Sequence, residues 1–215
     1  MYKINSLWYS PEPAEGFFSE RLQNTVDVHY QQRYRYYVYH NIPQKRTMID
    51  VGANIGIFAR PSAEQFDRVI CFEPVTKIFE VLIKNLESYN NVELHNLGLS
   101  DVEQTVKFQM KKLKCGESFQ VDEYEDNPIF ENFECKLVTL DPYNFDQVDW
   151  IKVDVEGFEM AVLEGAKETI KRNRPWLLLE DNENSKQHKE FLNDLCGPYE
   201  PAPVKSKTNT IWIPQ

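Results

Sequence analysis

The chain has 215 residues, of which 41% are hydrophobic and 27% charged, as expected for a single soluble globular domain with a sizeable core. Its formal net charge of −10 argues against a nucleic-acid partner, because a duplex-binding protein needs a concentrated basic face to neutralise phosphates. No apolar run approaches the roughly 18 to 20 residues that span a bilayer, and the opening MYKINSLWYSPEPAEG lacks the features of a secretory signal, so we expect a cytoplasmic protein without a membrane partner.

The first 46 residues form a tyrosine-rich segment that we separate from the rest of the chain. No acidic residue occurs between Val28 and Arg46, and VDVHYQQRYRYYVYH carries five tyrosines. Spacing along this run predicts an amphipathic helix that packs on the sheet. The residues on its shared face are Val26, Tyr30, Tyr34 and Tyr37. A second interpretation makes the segment a lid in which Arg33 or Arg35 grips an anionic substrate.

From Thr47 onward, short apolar runs alternate with helical patterns. The runs TMIDV, VICFE, VELHNL, WIKVDV and WLLLE are nearly continuous in apolar character, like strands covered on both faces. Residues 75–89 and 158–172 repeat apolar side chains at helical spacing. This alternation predicts a mostly parallel α/β sheet in a domain that spans residues 47–215.

Two stretches depart from that alternation. Residues 101–139 begin with a strand-like run, DVEQTVKFQM, and continue into an acidic stretch. We interpret this region as an insertion or edge hairpin with a mobile loop. The closing VKSKTNTIWIP alternates loosely and predicts a last strand.

The first predicted strand, MIDV, leads into the turn GANIG, beyond the carboxyl end of the strand, where open parallel sheets bind ligands. Gly52 lets the backbone pass close to a ligand, and Gly56 lets the next helix begin tight against the strand. The helix start offers free N–H groups to an anion. Glu73 ends the second strand about 20 residues beyond Gly52, the spacing at which an acid binds ribose hydroxyls. A nucleoside with an anionic arm fits both halves of the site.

Dinucleotides and S-adenosylmethionine both match that description. The dinucleotide turn is G-x-G-x-x-G, whereas this turn is G-x-x-x-G with Asn54 in place of the middle glycine. Asp50 precedes Gly52 by two residues, and its charge suits the ammonium group of an amino-acid arm but repels a pyrophosphate. The turn therefore favours S-adenosylmethionine.

The chain resembles the FkbM family of methyltransferases in four ordered motifs: DVGANIG, CFEP, WIKVDVEGFEMAVLEGA and PWLLLE. The resemblance covers residues 47 to about 182 and leaves the first 46 outside it. It implies a class I methyltransferase (Rossmann-like) α/β fold, with helices on both faces of a seven-stranded, mostly parallel sheet whose last strand is antiparallel. It also implies S-adenosylmethionine as donor and a hydroxyl oxygen, often on a sugar or a polyketide, as acceptor.

Candidate site residues follow the carboxyl ends of the predicted strands. The expected cofactor-binding residues are Asp50, Gly52, Ala53, Asn54, Gly56, Glu73, Pro74, Leu97 and Gly98. The last three are expected around the adenine ring, since small or apolar groups suit a flat aromatic face. An alcohol acceptor needs a base or a metal that lowers its pKa. We predict Asp154, at the end of the WIKVD strand, as the catalytic residue.

A metal ion is the alternative to a base. Asp181 and Asn182 follow the strand next to the one that ends in Asp154, and three converging oxygen ligands could hold Mg²⁺. This arrangement is similar to that of cation-dependent O-methyltransferases. Asp181 and Asn182 also suit the cap of a helix predicted over residues 185–195, since Asp and Asn are among the strongest capping residues. Glu180 is a further polar group in the crevice.

The leading hypothesis is an S-adenosylmethionine-dependent O-methyltransferase that acts on a sugar, glycan or other small hydroxylated metabolite. Because the donor site does not fix the acceptor atom, methylation of nitrogen or of a carboxyl group stays open. A catalytically silent nucleoside-binding scaffold is the alternative from another class. The sequence sets neither the acceptor nor the oligomeric state.

Overall fold

The computed structural model describes residues 2–4, 7–9, 31–111, 118–127, 129–180, 184–204 and 208–215. The strands are β1 (Tyr2–Ile4), β2 (Leu7–Tyr9), β3 (Thr47–Val51), β4 (Arg68–Phe72), β5 (Val92–His95), β6 (Gly98–Leu99), β7 (Gln104–Lys111), β8 (Ser118–Val121), β9 (Phe130–Val138), β10 (Val148–Val153), β11 (Trp176–Glu180), β12 (Tyr199–Pro201) and β13 (Asn209–Pro214). The helices are α1 (Gln32–Asn41), α2 (Ala59–Ala63), α3 (Thr76–Leu86), α4 (Glu159–Glu164), α5 (Lys167–Asn173) and α6 (Ser185–Cys196).

The main sheet has seven strands in the order β12-β13-β11-β10-β3-β4-β5. Its strands from β11 to β5 pair in parallel, and β13 runs antiparallel to both of its neighbours. Every residue of β3 and β10 is buried, because helices cover both faces of a parallel sheet. The predicted sheet, with its antiparallel last strand, is confirmed.

Apolar clusters fill both faces of this sheet. Ile49 and Val51 of β3 belong to one cluster, together with buried side chains of α4, α5 and α6. Met48 belongs to a second cluster with Trp150 of β10 and buried side chains of α1, α2 and α3. Successive residues of a strand point to opposite faces, which explains why these strands read as continuous apolar runs.

The positions of the helices follow the apolar spacing in the sequence, except that one predicted helix is divided into two. The helix predicted over residues 75–89 is α3, whereas the pattern over 158–172 forms two helices, α4 and α5. Gly165 lies at their junction, where an added Cβ atom would stand 1.9 Å from the backbone oxygen of Ser100. The chain therefore bends there to pass close to a neighbouring backbone. None of the helices in the described ranges is long and apolar enough to cross a membrane.

Within the tyrosine-rich segment, the structure describes residues 2–4 and 7–9, which form β1 and β2, and residues from 31 onward. Tyr34 and Val38 of α1 are buried in the second apolar cluster, as expected for a helix that packs on the sheet. Arg35 is also buried, and its guanidinium carbon lies 5.7 Å from the centre of the Phe58 ring. Val26 and Tyr30, predicted to lie on the same helical face, fall outside the described residues.

Strands β6, β7, β8 and β9 form a second sheet, in the order β6-β9-β7-β8. Strand β7 pairs antiparallel with both β8 and β9, and β6 pairs in parallel with β9. Buried side chains of β7 and β9 pack against α3 and against Ile55 and Ile57. The region expected as an insertion or edge hairpin is therefore a separate sheet that covers the turn after β3.

Candidate active site

A cavity lies beyond the carboxyl ends of β3, β4 and β10. Its walls are the turn after β3, the residues after β4, part of the second sheet and the segment after β10. Seven of the predicted site residues line it: Gly52, Ala53, Asn54, Glu73, Pro74, Gly98 and Asp154. The structure therefore brings together residues that are far apart in the chain, at the edge where parallel sheets bind ligands.

Gly52 sits where the turn after β3 passes directly against the end of β10. Its φ of +73° is left-handed, and an added Cβ atom would stand 2.1 Å from the backbone oxygen of Asp154. The N–H groups of Gly52 and Ala53 both donate to the Phe72 oxygen at 3.0 Å. Only glycine combines this conformation with such a close approach, so Gly52 sets the spacing between the turn and Asp154.

Glu73 holds two backbone segments that border the cavity. Its Oε2 accepts the Asn54 N–H at 2.9 Å, and its Oε1 accepts the Val75 N–H at 2.9 Å. Burial raises the pKa of Glu73 to about 7, and these two hydrogen bonds oppose the rise. The carboxyl group thus fixes both the turn and the start of α3, while each oxygen keeps a lone pair for a further donor.

Asp50 does not line the cavity. It is fully buried, and its Oδ1 lies 2.9 Å from Nζ of Lys152, whose side chain is 3% exposed. Burial raises the pKa of Asp50, and the Lys152 charge opposes the rise. The ammonium group that we expected Asp50 to meet on a ligand is therefore supplied here by the chain itself, because Asp50 and Lys152 are direct partners in the pairing of β3 with β10.

Asp154 contributes a partly exposed carboxylate to the cavity wall, which Glu156 also lines. Its side chain is 17% exposed, and its Oδ2 lies 3.7 Å from Nζ of Lys152. The same oxygen accepts a hydrogen bond at 3.3 Å from Nε2 of Gln31. Gln31 precedes α1 in a left-handed conformation, and its Oε1 is buried without a hydrogen-bond partner among the described residues. The tyrosine-rich segment thus reaches the candidate catalytic residue.

Three carboxylates converge beside Asp154. Oxygen atoms of Asp154, Glu156 and Glu180 lie within 4.8 Å of one another, a spacing that could hold a cation. Glu180, considered from the sequence as a further polar group in the crevice, is therefore near Asp154. The predicted metal ligands Asp181 and Asn182 lie outside the described residues.

Two further predicted residues lie outside the cavity lining. Gly56 has a φ of +87°, and its added Cβ atom would meet Cδ1 of Leu82 at 2.9 Å, so it serves the packing of the turn on α3. Leu97 is half-buried against the apolar cluster that contains Ile49 and Val51. Gly98 does reach the cavity, where an added Cβ atom would stand 2.4 Å from Cδ2 of Leu137.

Several residues of the site were not identified from the sequence, Glu156 of the carboxylate cluster among them. Gln31 contacts Asp154, and Lys152 lies between Asp50 and Asp154. Phe108 and Leu137 bring the second sheet into the cavity wall. The pairing of Asp50 with Lys152 depends on where β10 ends, at Val153 rather than at the predicted Asp154. The positions of Gln31, Phe108 and Leu137 depend on packing that strand and helix patterns do not encode.

Comparison with known proteins places the chain beside methyltransferases. The family model for the methyltransferase FkbM domain matches residues 50–197. The chain is 27% identical over 164 residues to the methyltransferase sdnD of Sordaria araneosa, a match that covers 60% of this chain and 63% of sdnD. The chain thus spans less than two thirds of that relative.

Solved structures share the fold at low sequence identity. A methyltransferase FkbM from Methylobacillus flagellatus KT has a TM-score of 0.55 at 16% identity, over 94% of this chain and 48% of that chain. A protein from Methanococcus maripaludis, described as an S-adenosyl-L-methionine-dependent methyltransferase, has a TM-score of 0.53 at 12% identity, over 100% of this chain and 97% of that chain. The expected class I methyltransferase fold is confirmed.

Proposed function

The chain belongs to the FkbM family of S-adenosylmethionine-dependent methyltransferases, and we propose that it methylates a hydroxyl oxygen on a sugar, glycan or other small hydroxylated metabolite. The observation that carries this proposal is the position of Asp154. Its carboxylate lies in the wall of the same cavity as Gly52 and Glu73, and 17% of its side chain is exposed. A base in that position can accept the proton of an alcohol.

The residues of the cavity fit S-adenosylmethionine. Gly52 packs directly against the Asp154 backbone, so the turn and Asp154 lie in the same wall of the cavity. The buried Glu73 carboxyl group retains acceptor capacity for ribose hydroxyls. We propose that Ala53, Asn54, Pro74 and Gly98 also contact S-adenosylmethionine. We propose that Asp50 and Gly56 support the turn without contacting the ligand.

The reaction requires that the methyl donor and the acceptor oxygen be aligned and that the acceptor hydroxyl group lose its proton. When bound, S-adenosylmethionine supplies a methyl group whose bond to the sulfonium sulfur breaks as its bond to the acceptor oxygen forms, leaving a neutral thioether. A carboxylate oxygen of Asp154 accepts the proton that the hydroxyl group loses. Gln31 and Lys152 both lie next to Oδ2 of this carboxylate and help to hold it in place. Such positioning and proton transfer are the main contributions that a protein makes to this reaction.

Activation by Mg²⁺ is the second route to the same product. The proximity of Asp154, Glu156 and Glu180 favours it, because oxygen ligands suit this ion. The nearby Lys152 ammonium group opposes it by charge repulsion. Turnover measured in EDTA, and again after Mg²⁺ is restored, separates the two routes: a base needs no added metal, whereas a metal site loses activity reversibly.

The test of the proposal is Asp154→Asn. We expect S-adenosylhomocysteine production with a panel of hydroxylated sugars to fall by roughly 10²- to 10⁴-fold at saturating donor, the usual contribution of a general base. The dissociation constant for S-adenosylmethionine, measured by calorimetry, is expected to stay within about threefold, since the donor side keeps its groups.

Asp67→Asn is the matched control, because Asp67 is exposed at the opposite end of β4. Full turnover by Asp154→Asn would show that Asp154 is not the base. Turnover with amines or carboxylates and none with alcohols would contradict the hydroxyl acceptor. An unmeasurable affinity for S-adenosylmethionine would contradict the donor site.

A further inference from the structure

We infer that Lys152 is a positioning residue that fixes the donor-binding turn to the strand end that carries Asp154. The expected effect of Lys152 on donor binding rests on the proposed function. Lys152 donates a hydrogen bond from Nζ to the backbone oxygen of Gly52 at 2.8 Å. The same nitrogen lies 2.9 Å from Oδ1 of Asp50 and 3.7 Å from Oδ2 of Asp154. One buried cation therefore touches the β3 strand, the turn after it and the end of β10.

The hydrogen bond to Gly52 completes the restraint of one peptide unit. The carbonyl of the Gly52–Ala53 peptide accepts from Lys152 of β10, and the N–H of the same peptide donates to the Phe72 oxygen at the end of β4. The peptide plane is thus held from both neighbouring strands. Because Gly52 is left-handed and lacks a side chain, these two bonds oppose its large conformational freedom.

A simpler role for Lys152 is to neutralise Asp50. A buried carboxylate without a partner is strongly destabilising, and Asp50 is fully buried. Neutralisation alone requires the Asp50 contact and gives no function to the hydrogen bond with Gly52. The two roles separate when both charges are removed together, because the need for neutralisation then disappears and the loss of the Gly52 contact remains.

The decisive variant is Asp50→Asn combined with Lys152→Met. We expect its melting temperature to exceed that of Lys152→Met alone, because no unpaired charge stays buried. We expect its dissociation constant for S-adenosylmethionine, measured by calorimetry, to be raised roughly tenfold over wild type, since the turn must be ordered on binding. Lys84→Met removes an exposed lysine on α3 and is expected to leave the dissociation constant unchanged.

Amide hydrogen exchange without donor gives an independent readout. In the double variant we expect the amides of residues 52–56 to exchange about tenfold faster than in wild type, as a less restrained segment does, while β11 keeps its protection. Exchange and donor affinity equal to wild type in the double variant would overturn the inference and leave neutralisation as the role of Lys152. Absence of S-adenosylmethionine binding by wild type would overturn the proposed function, and the exchange result would still decide whether Lys152 restrains the turn.

Discussion

Glu73 carries a buried carboxyl group whose protonation is linked to folding. Its ordinary pKa of 4.5 rises to about 7 in the folded chain, chiefly through burial. Between these two values the unfolded chain releases its proton first, so the folded state binds more protons. The stability that Glu73 contributes is therefore complete below about pH 4.5 and is lost as the pH rises through about 7.

Glu73→Gln removes this titration and keeps the size of the side chain. We expect the free energy of unfolding of wild type, relative to that of Glu73→Gln, to fall by up to about 1.4 kcal/mol for each pH unit between about pH 5 and 7. Urea unfolding followed by tryptophan fluorescence measures both proteins. Glu80→Gln, on the exposed face of α3, controls for the loss of a surface charge. A difference that stays constant over this range would contradict the buried titration.

Asp50 shows which part of a residue's role the sequence can predict. The acid before the glycine turn does meet an ammonium group, and the group belongs to Lys152. The side of the sheet that each residue faces follows from strand alternation. Which residue stands opposite depends on the register between strands about a hundred positions apart, and that register is set by tertiary packing.

Phe108 and Val106 lie two residues apart on β7 and belong to the same apolar cluster. Of the two, Phe108 also lines the cavity, beside Pro74 and Gly98. The second sheet therefore supplies part of a wall that we propose lies against the adenine ring. An apolar ring in that position suits a flat aromatic ligand.

Phe108→Ala tests whether this element contributes to donor binding. We expect the dissociation constant for S-adenosylmethionine to rise roughly tenfold, equivalent to about 1.4 kcal/mol, because a cavity wall is removed. Val106→Ala opens space in the same cluster away from the cavity, and we expect its dissociation constant to stay within about twofold of wild type by calorimetry. Equal affinities for the two variants would assign the second sheet a packing role alone.

The elements of the main sheet were predictable because both faces are covered. TMIDV and WLLLE form β3 and β11 with unchanged bounds, since continuous apolar runs mark strands buried on both sides. The second sheet was not predictable in this way. Its strands alternate, and the sheet that an alternating strand joins is decided by long-range pairing rather than by its own pattern. Gly165 likewise splits one helical pattern because of a distant contact with Ser100.

At the scale of the whole molecule, the site extends beyond the family domain. The family match begins at residue 50, yet Tyr34 and Val38 of α1 are buried in the core and Gln31 contacts Asp154. The residues that we propose as donor contacts lie in the matched region, and part of the surroundings of Asp154 comes from the segment before it. We therefore propose that the described part of this segment, residues 31–41, influences the choice of acceptor.

The charge of the whole chain leads to a prediction about partners. Binding to RNA depends on clustered Lys and Arg that neutralise phosphates, and it weakens steeply with salt. This chain has 24 basic and 34 acidic residues, so its overall field repels a polyanion. We expect no change in the fluorescence anisotropy of a labelled RNA hairpin with up to about 10 μM protein at low salt, where such binding is strongest. A small protein with a positive net charge, rich in Lys and Arg, serves as the positive control and is expected to raise the anisotropy. Micromolar binding that disappears on addition of salt would contradict the small-molecule acceptor and point to a nucleic-acid substrate.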